Sequence, residues 1–363
     1  MFNLIFYAQD INMKNKIAIL VILIIFMMFS LINIYANSIS YIPRQIMWFG
    51  IGFFIIFLLY KIPRRYVYKS AFMLYVILNF LLLYLLMFGD IINGSRAWIN
   101  LGFMSFQPSE LMKVVLIVLL SIIVARENHA ILISTIITLI PSVLTFLEPD
   151  TGNVIFYLVI LFAAIFLKIK NIKPLIMLGI CGLIFLGAFI AFYHFYQSLF
   201  IEIFGTSFFY RMDRLGAFLD SSSYQLNNAL IGIGSSSWLG HGLSNPIYIP
   251  EAITDFAFSL LVTNTGLLGA IGYLVVNFSF NMIIVAHYKN SVGVMKNVIF
   301  MFLVMKIVQE SIHILMNIGL FPITGITLPF ISYGGSSLLS YFILTGLMFS
   351  SHMDNMGMDD NMG

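Results

Sequence analysis

The chain has 363 residues, 61% of them hydrophobic and 9% charged, a balance that leaves too little polar surface for a water-soluble globule and makes lipid the solvent for most of it. A net charge of +3, with no basic run interleaved with aromatics, offers nothing for nucleic acid to bind. Cys181 is the only cysteine, so neither an internal disulfide framework nor a thiolate metal site can form.

A helix crosses about 30 Å of hydrocarbon with roughly 20 apolar residues. Cutting the chain at its polar and Pro- or Gly-bearing breaks predicts about ten such spans, near 17–36, 43–61, 68–89, 107–125, 130–147, 152–168, 174–195, 256–286, 297–318 and 335–351. The fold expected is an all-α polytopic membrane protein, a single transmembrane domain over 1–363. Its first span is too long, and too poor in a small-residue cleavage site, to be a removable signal, so it reads as an anchor. Lys14 and Lys16, then Lys61, Arg64, Arg65 and Lys69, then Arg126, then Lys168, Lys170 and Lys173, then Lys289 and Lys296 fall on one side of this arrangement, and only Arg44, Arg96, Arg211 and Arg214 on the other. Short loops rich in Lys and Arg stay in the cytoplasm, so both termini are expected inside. One external segment, about 196–255, is far longer than the other connections, and long loops are usually functional. It is largely apolar and is expected to fold back on the membrane surface; the polar tail 354–363 is expected to be disordered.

Ionisable groups within or beside spans are costly and therefore informative. Glu110 and Lys113, three residues apart, share a helix face and read either as a packing ion pair or as a functional pair. Glu148 and Asp150 flank Pro149 before a helix start, where Asp150 is expected to cap. Lys306, Glu310, His313 and Asn317 form one polar stripe, either a hydrogen-bonded seam between helices or an ion path. His194, His241 and His287 stand alone, with no paired metal-ligand spacing. Asp255 enters the eighth span: it can cap that helix or, at the mouth of a wet cavity, take a proton from a hydroxyl, and residue type does not separate the two roles. No Walker A or dinucleotide motif occurs, so no nucleotide is expected to drive the chemistry.

Several motifs taken together resemble the SEDS family (shape, elongation, division and sporulation), the RodA and FtsW type of bacterial cell-wall polymerase. They are Asn93-Gly94-Ser95-Arg96-Ala97-Trp98-Ile99 with Phe106-Gln107-Pro108-Ser109-Glu110-Leu111-Met112-Lys113, then Glu148-Pro149-Asp150-Thr151-Gly152, then Pro250-Glu251-Ala252-Ile253-Thr254-Asp255-Phe256. Asn317-Ile318-Gly319, Pro322-Ile323-Thr324-Gly325 and Leu328-Pro329-Phe330-Ile331-Ser332-Tyr333-Gly334-Gly335-Ser336-Ser337 complete the set, so the resemblance runs the length of the chain. It implies a peptidoglycan glycosyltransferase of the bacterial cytoplasmic membrane that polymerises lipid II outside the cell and works with a class B penicillin-binding protein.

The same resemblance makes Asp255 the catalytic residue, expected to act as general base. Arg96, Trp98, Lys113, Glu110, Arg211, Arg214, Ser332 and Ser336 are expected on the substrate side, with Arg for diphosphate because its fork matches phosphate oxygens. Gln107, Pro108, Asp150, Pro250, Glu251, Gly334 and Gly335 are expected to shape the site, the glycines letting a re-entrant turn come close. The chain departs from the family pattern at Ile253, where a histidine is common, and at Val262-Thr263-Asn264-Thr265-Gly266, where a carboxylate-bearing G-E-E-x-G run is common. A divalent cation such as Mg²⁺ would suit a diphosphate leaving group, but these departures leave it without a named ligand set. The competing readings are a flippase for the lipid-linked precursor, using Glu110, Lys113, Lys306 and Glu310, and an inactive scaffold for a transpeptidase.

Overall fold

The computed structural model describes residues 2–91, 95–100, 102, 105–169, 187–189, 191–204, 206, 223–243 and 247–350. Its helices are α1 (Phe2–Asn37), α2 (Ile42–Lys61), α3 (Arg64–Phe88), α4 (Pro108–Arg126), α5 (Ala130–Leu147), α6 (Thr151–Lys168), α7 (Gln197–Phe204), α8 (Tyr224–Ser235), α9 (Ala257–Asn290), α10 (Gly293–Asn317) and α11 (Gly335–Phe349). Among the described residues eight helices are long and apolar enough to cross a membrane, and α11 is a shorter apolar helix. The chain is a multi-pass membrane protein. Nine of the expected spans appear as helices; the one expected near 174–195, the basic residues Lys170 and Lys173, and the tail 354–363 fall largely or wholly outside the described residues.

Three features depart from the sequence reading. A short antiparallel ladder, β1 (Ile99–Asn100) against β2 (Ser105–Phe106), interrupts the all-α plan between α3 and α4. The long segment expected outside carries α7 and α8, its apolar residues being enough to bury one face of a helix; Leu226 and Ala229 of α8 pack with Ile249, Ala252, Phe256 and Leu260. And α9 is broken at Gly266, whose φ of 68° and ψ of −167° lie outside the helical region.

The break is possible in an apolar setting because the freed backbone groups find partners. The turn after α8 lies against it: the amides of His241 and Gly242 donate to Thr263 O and Asn264 O, and those of Leu267 and Leu268 donate to Ser237 O and Trp238 O. Only glycine fits where the two backbones meet, since a Cβ on Gly240 or Gly266 would fall inside the opposing main chain, and both residues have positive φ.

Helix α4 is enclosed nearly all round, only Ala125 and Arg126 at its end being exposed, so it forms the axis of the bundle. It packs against α3, α5, α6, α10 and α11, while α2 lies along α11 and α1 along α9. Fifteen residues of α11 span about 22 Å at 1.5 Å each, less than the hydrocarbon thickness. The segment 322–334 before it is non-helical, and 328–332 within it are buried in protein, where irregular backbone is tolerated in an apolar chain. Leu328, Phe330 and Ile331 are buried, and the Phe330 ring stacks on Phe26 at 5.4 Å and meets Phe280, Tyr341 and Phe342 at 5.4–5.7 Å.

Candidate active site

The turn that carries Asp255 is wound round one carbonyl: Glu251 O accepts from the amides of Thr254, Asp255 and Phe256 at 3.0–3.2 Å, with Glu251 itself at φ 51°. Ala252 and Phe256 anchor this turn in the apolar cluster with α8, which leaves Asp255 outside that cluster. The turn is then fastened to the segment before α11. The Ser332 hydroxyl donates to Thr254 O at 2.6 Å and accepts from the Leu328 amide, and the Tyr333 amide donates to Ile253 O at 2.7 Å. Gly325, at φ 71°, faces the carboxylate: a Cβ there would stand 3.7 Å from Asp255 Oδ2. Two α1 residues complete the support, Asn33 Nδ2 donating to Ala257 O and Ser30 Oγ to Ile331 O, both at 2.8 Å. Sequence reasoning missed this pair; its only signal is two polar residues three apart in an apolar span.

Asp255 does not cap α9. Phe256 holds the cap position, with no capping side-chain bond. The Asp255 carboxyl is instead pushed up to about 6, first by burial, then by the charge of Glu251, with a Thr254 hydrogen bond pulling partly back. A carboxylate so placed is ionised near neutral pH yet more basic than usual.

Asp150 does cap. Its Oδ1 accepts from the Asn153 amide of α6, while Oδ2 takes the Gln107 and Asn153 side-chain amides and the Ser109 hydroxyl, each at 2.8 Å. The Gln107 main-chain amide donates to Ser336 Oγ at 2.9 Å, tying the start of α4 to the start of α11. Hydrogen bonds therefore lead from Asp150 through Gln107 to Ser336, which lies four residues along the chain from the Ser332–Thr254 link. Pro108 starts α4, where a missing amide costs nothing. Pro250 leads into the Asp255 turn. Gly335 is required by its neighbour, since a Cβ would enter the Trp48 indole, and Gly334 precedes it at the α11 start.

Several residues expected on the substrate side have partners within the fold. Glu110 and Lys113 form an ion pair at 2.9 Å inside α4, Lys113 also lying over the Phe156 ring at 5.0 Å, and both are buried. Ser332 and Ser336 are buried too, and their hydroxyls are taken by the bonds just described. Arg96, half-buried, donates its main-chain amide to Glu148 O and one guanidinium nitrogen to Leu86 O at 3.0 Å; Trp98 is half-buried beyond it. Arg211 and Arg214 lie outside the described residues. Thr263 and Asn264, where carboxylates were expected, sit at the α9 break, Thr263 bonding Ser259 O. Among the described residues no group of three or more His, Cys, Asp or Glu could hold a metal ion.

A polytopic helix bundle whose irregular segment before α11 is fastened to the turn carrying Asp255 defines a multi-pass membrane protein with a carboxylate beside a helix start. Residues 10–356 match the family model for the FtsW, RodA and SpoVE group, described as a cell cycle protein. The chain belongs to this family. It is 31% identical over 344 residues to the probable peptidoglycan glycosyltransferase FtsW of Wigglesworthia glossinidia brevipalpis, covering 89% of this chain and 86% of that one. It is 32% identical over 345 residues to the same-named protein of Hydrogenovibrio crunogenus, covering 85% and 81%. Among solved structures, a chain from a study of how a peptidoglycan synthase complex coordinates polymerization and crosslinking superposes with a TM-score of 0.77 at 24% identity, over 93% of this chain and 98% of that one. The rod shape determining protein RodA of Thermus thermophilus superposes with a TM-score of 0.67 at 24% identity, over 91% and 94%.

Proposed function

We propose that the chain is a peptidoglycan glycosyltransferase that polymerises lipid II at the outer face of the bacterial cytoplasmic membrane, with both termini in the cytoplasm and Asp255 as general base. The observation that carries the assignment is a carboxylate at the start of α9 that is held on a rigid turn, raised to about 6, and not used as a cap. The acceptor sugar hydroxyl attacks the anomeric carbon of the donor. The bond from that carbon to the diphosphate breaks, undecaprenyl pyrophosphate leaves, and the hydroxyl proton passes to Asp255. Arg96, with Arg211 and Arg214, supplies positive charge to the leaving diphosphate. Glu110, Lys113, Asp150, Ser332 and Ser336 hold the elements that present the base. A divalent cation such as Mg²⁺ would share the charge of the leaving diphosphate if bound with the substrate. The partner fitting this activity is a class B penicillin-binding protein, whose transpeptidase would crosslink the new strand.

Fluorescent lipid II supplied to purified protein in detergent tests the reading. Polymer ladders are expected from the native chain, with a rate that rises with pH through about 6 as the base ionises. Asp255→Asn should give none while remaining folded. Ladders from that variant would refute the base; no ladders from the native chain, alongside headgroup translocation in vesicles, would favour the flippase.

A further inference from the structure

The first turn of any helix leaves amides without partners, and a nearby carboxylate is the side chain most readily drawn to them. Asp255 stands one residue before the cap position of α9, yet the amides that a cap would satisfy are already occupied from another helix. The Ser259 amide donates to Asn317 Oδ1 at 2.9 Å, and the Ser259 hydroxyl to the same oxygen at 2.7 Å. The Phe258 amide donates to His313 Nε2, a longer bond of 3.4 Å. Asn317 turns its other end to the turn itself, Nδ2 donating to Asp255 O at 3.0 Å and to His313 O at 2.8 Å. His313 Nδ1 lies 2.7 Å from Ile326 O, next to the Gly325 turn that faces the Asp255 carboxylate. A carbonyl only accepts and an amide N–H only donates, so His313 carries its proton on Nδ1 and is neutral. Both side chains are buried on α10, one helical turn apart.

We infer that His313 and Asn317 are positioning residues that cap α9 in place of Asp255, so that its carboxylate stays free to accept the substrate proton. The inference rests on Asp255 being the base. A carboxylate engaged by helix amides, at the positive end of the dipole, is a weaker base than one held apart from them. Lending the cap from α10 keeps Asp255 basic, and the Asn317 bond to its carbonyl fixes where it stands. The titratable groups beside Asp255 among the described residues are Glu251 on its own turn, His313 on α10 and Tyr333 on the segment bonded to Ile253.

The test is the pH–rate profile of lipid II polymerisation by the full chain in detergent. With Asn317→Ala or His313→Leu, Asp255 turns in to the vacant amides; kcat should fall about tenfold and the acid limb should move about one unit lower, with KM little changed. His313→Gln, whose amide can still donate to Ile326 O and accept from Phe258 N–H, should recover both. Asn317→Ala removes four bonds and can cost folding; the decision then rests on His313→Leu against His313→Gln. A lower rate with the limb unmoved would make the pair merely structural and overturn the inference, as would a native profile in His313→Leu. Either result with Asp255→Asn still inactive leaves the base in place, whereas an active Asp255→Asn removes the base itself.

Discussion

Two carboxyls beside helix ends are raised by the same forces and end in different states. Asp255, at about 6, is ionised near neutral pH and available as a base. Glu148 is fully buried, neither oxygen having a hydrogen-bond partner, and burial followed by the charge of Asp150 pushes it up to about 8. It therefore keeps its proton near neutrality, which is how a bare carboxyl survives beside Asp150. Its main-chain oxygen receives the Arg96 amide, so the residue works through its backbone. The linkage sign follows from the raised value. Folded Glu148 binds its proton more tightly than the unfolded chain does, so that contribution to stability is complete below the ordinary 4.5 and is lost as pH rises through about 8. Glu148→Gln, which imitates the protonated form, should match the native melting temperature below about 4.5, exceed it increasingly from there to about 8, and keep a constant lead above that, measured by thermal unfolding in detergent. Parallel curves across that range would show that Glu148 is ionised and paired. At this scale the sequence was half legible: a capping Asp150 follows from its position before Thr151, whereas the freedom of Asp255 depends on His313 and Asn317, whose arrival from another helix no local pattern announces.

Among elements, the spans are legible because composition alone decides them, and their breaks are not. Gly266 interrupts α9 only because the turn at Gly240 meets it main chain to main chain, and nothing local distinguishes these two among 26 glycines. The polar stripe on α10 was visible, but its partners were not. Lys306 Nζ donates to Asn277 Oδ1 at 2.7 Å and Asn281 Oδ1 at 2.8 Å, pairs with Glu310, and lies over the Phe280 ring at 5.0 Å. Asn277 Nδ2 returns a bond to Glu310 Oε2 at 2.9 Å. With Lys306 wholly enclosed and the pair's other links all made to α9, the group joins two helices, which favours the seam over an ion path. A buried pair is costly to break and cheap to replace: removing one partner leaves a lone charge at about 3–5 kcal/mol, while replacing both with apolar groups of like size is often neutral. Glu310→Leu and Lys306→Met should each lower stability by that order, and the double variant should recover most of it, in a double-mutant cycle on unfolding in mixed micelles. Additive losses would mean that the two charges act independently.

For the molecule as a whole, the bundle brings motifs from distant parts of the chain together through two hydrogen-bonded links, Asp150 to Gln107 to Ser336 and Ser332 to Thr254, joined by the chain between Ser332 and Ser336. Their order in the sequence showed that they belong to one family, but their contacts could not be read there, since residues 43, 78 and 229 apart in the chain meet only when the helices pack. That assembly can serve an external substrate only if it faces outward, and the direction rests on charge. The connection between α9 and α10 lies between Lys289 and Lys296, whereas the long segment leading to Asp255 carries only Arg211 and Arg214, an asymmetry that predicts the first inward and the second outward. Single cysteines make this measurable once Cys181 is replaced by serine. Tyr248, 71% exposed before the Asp255 turn, and Val292, 79% exposed between α9 and α10, are open enough to label at little cost to packing. In intact cells a membrane-impermeant maleimide should modify the Tyr248→Cys protein and leave Val292→Cys untouched until the membrane is opened. The reverse pattern would put Asp255 on the cytoplasmic side, where its proposed acceptor is absent, and polymerisation by this carboxylate would have to be abandoned even though the chain's family is secure.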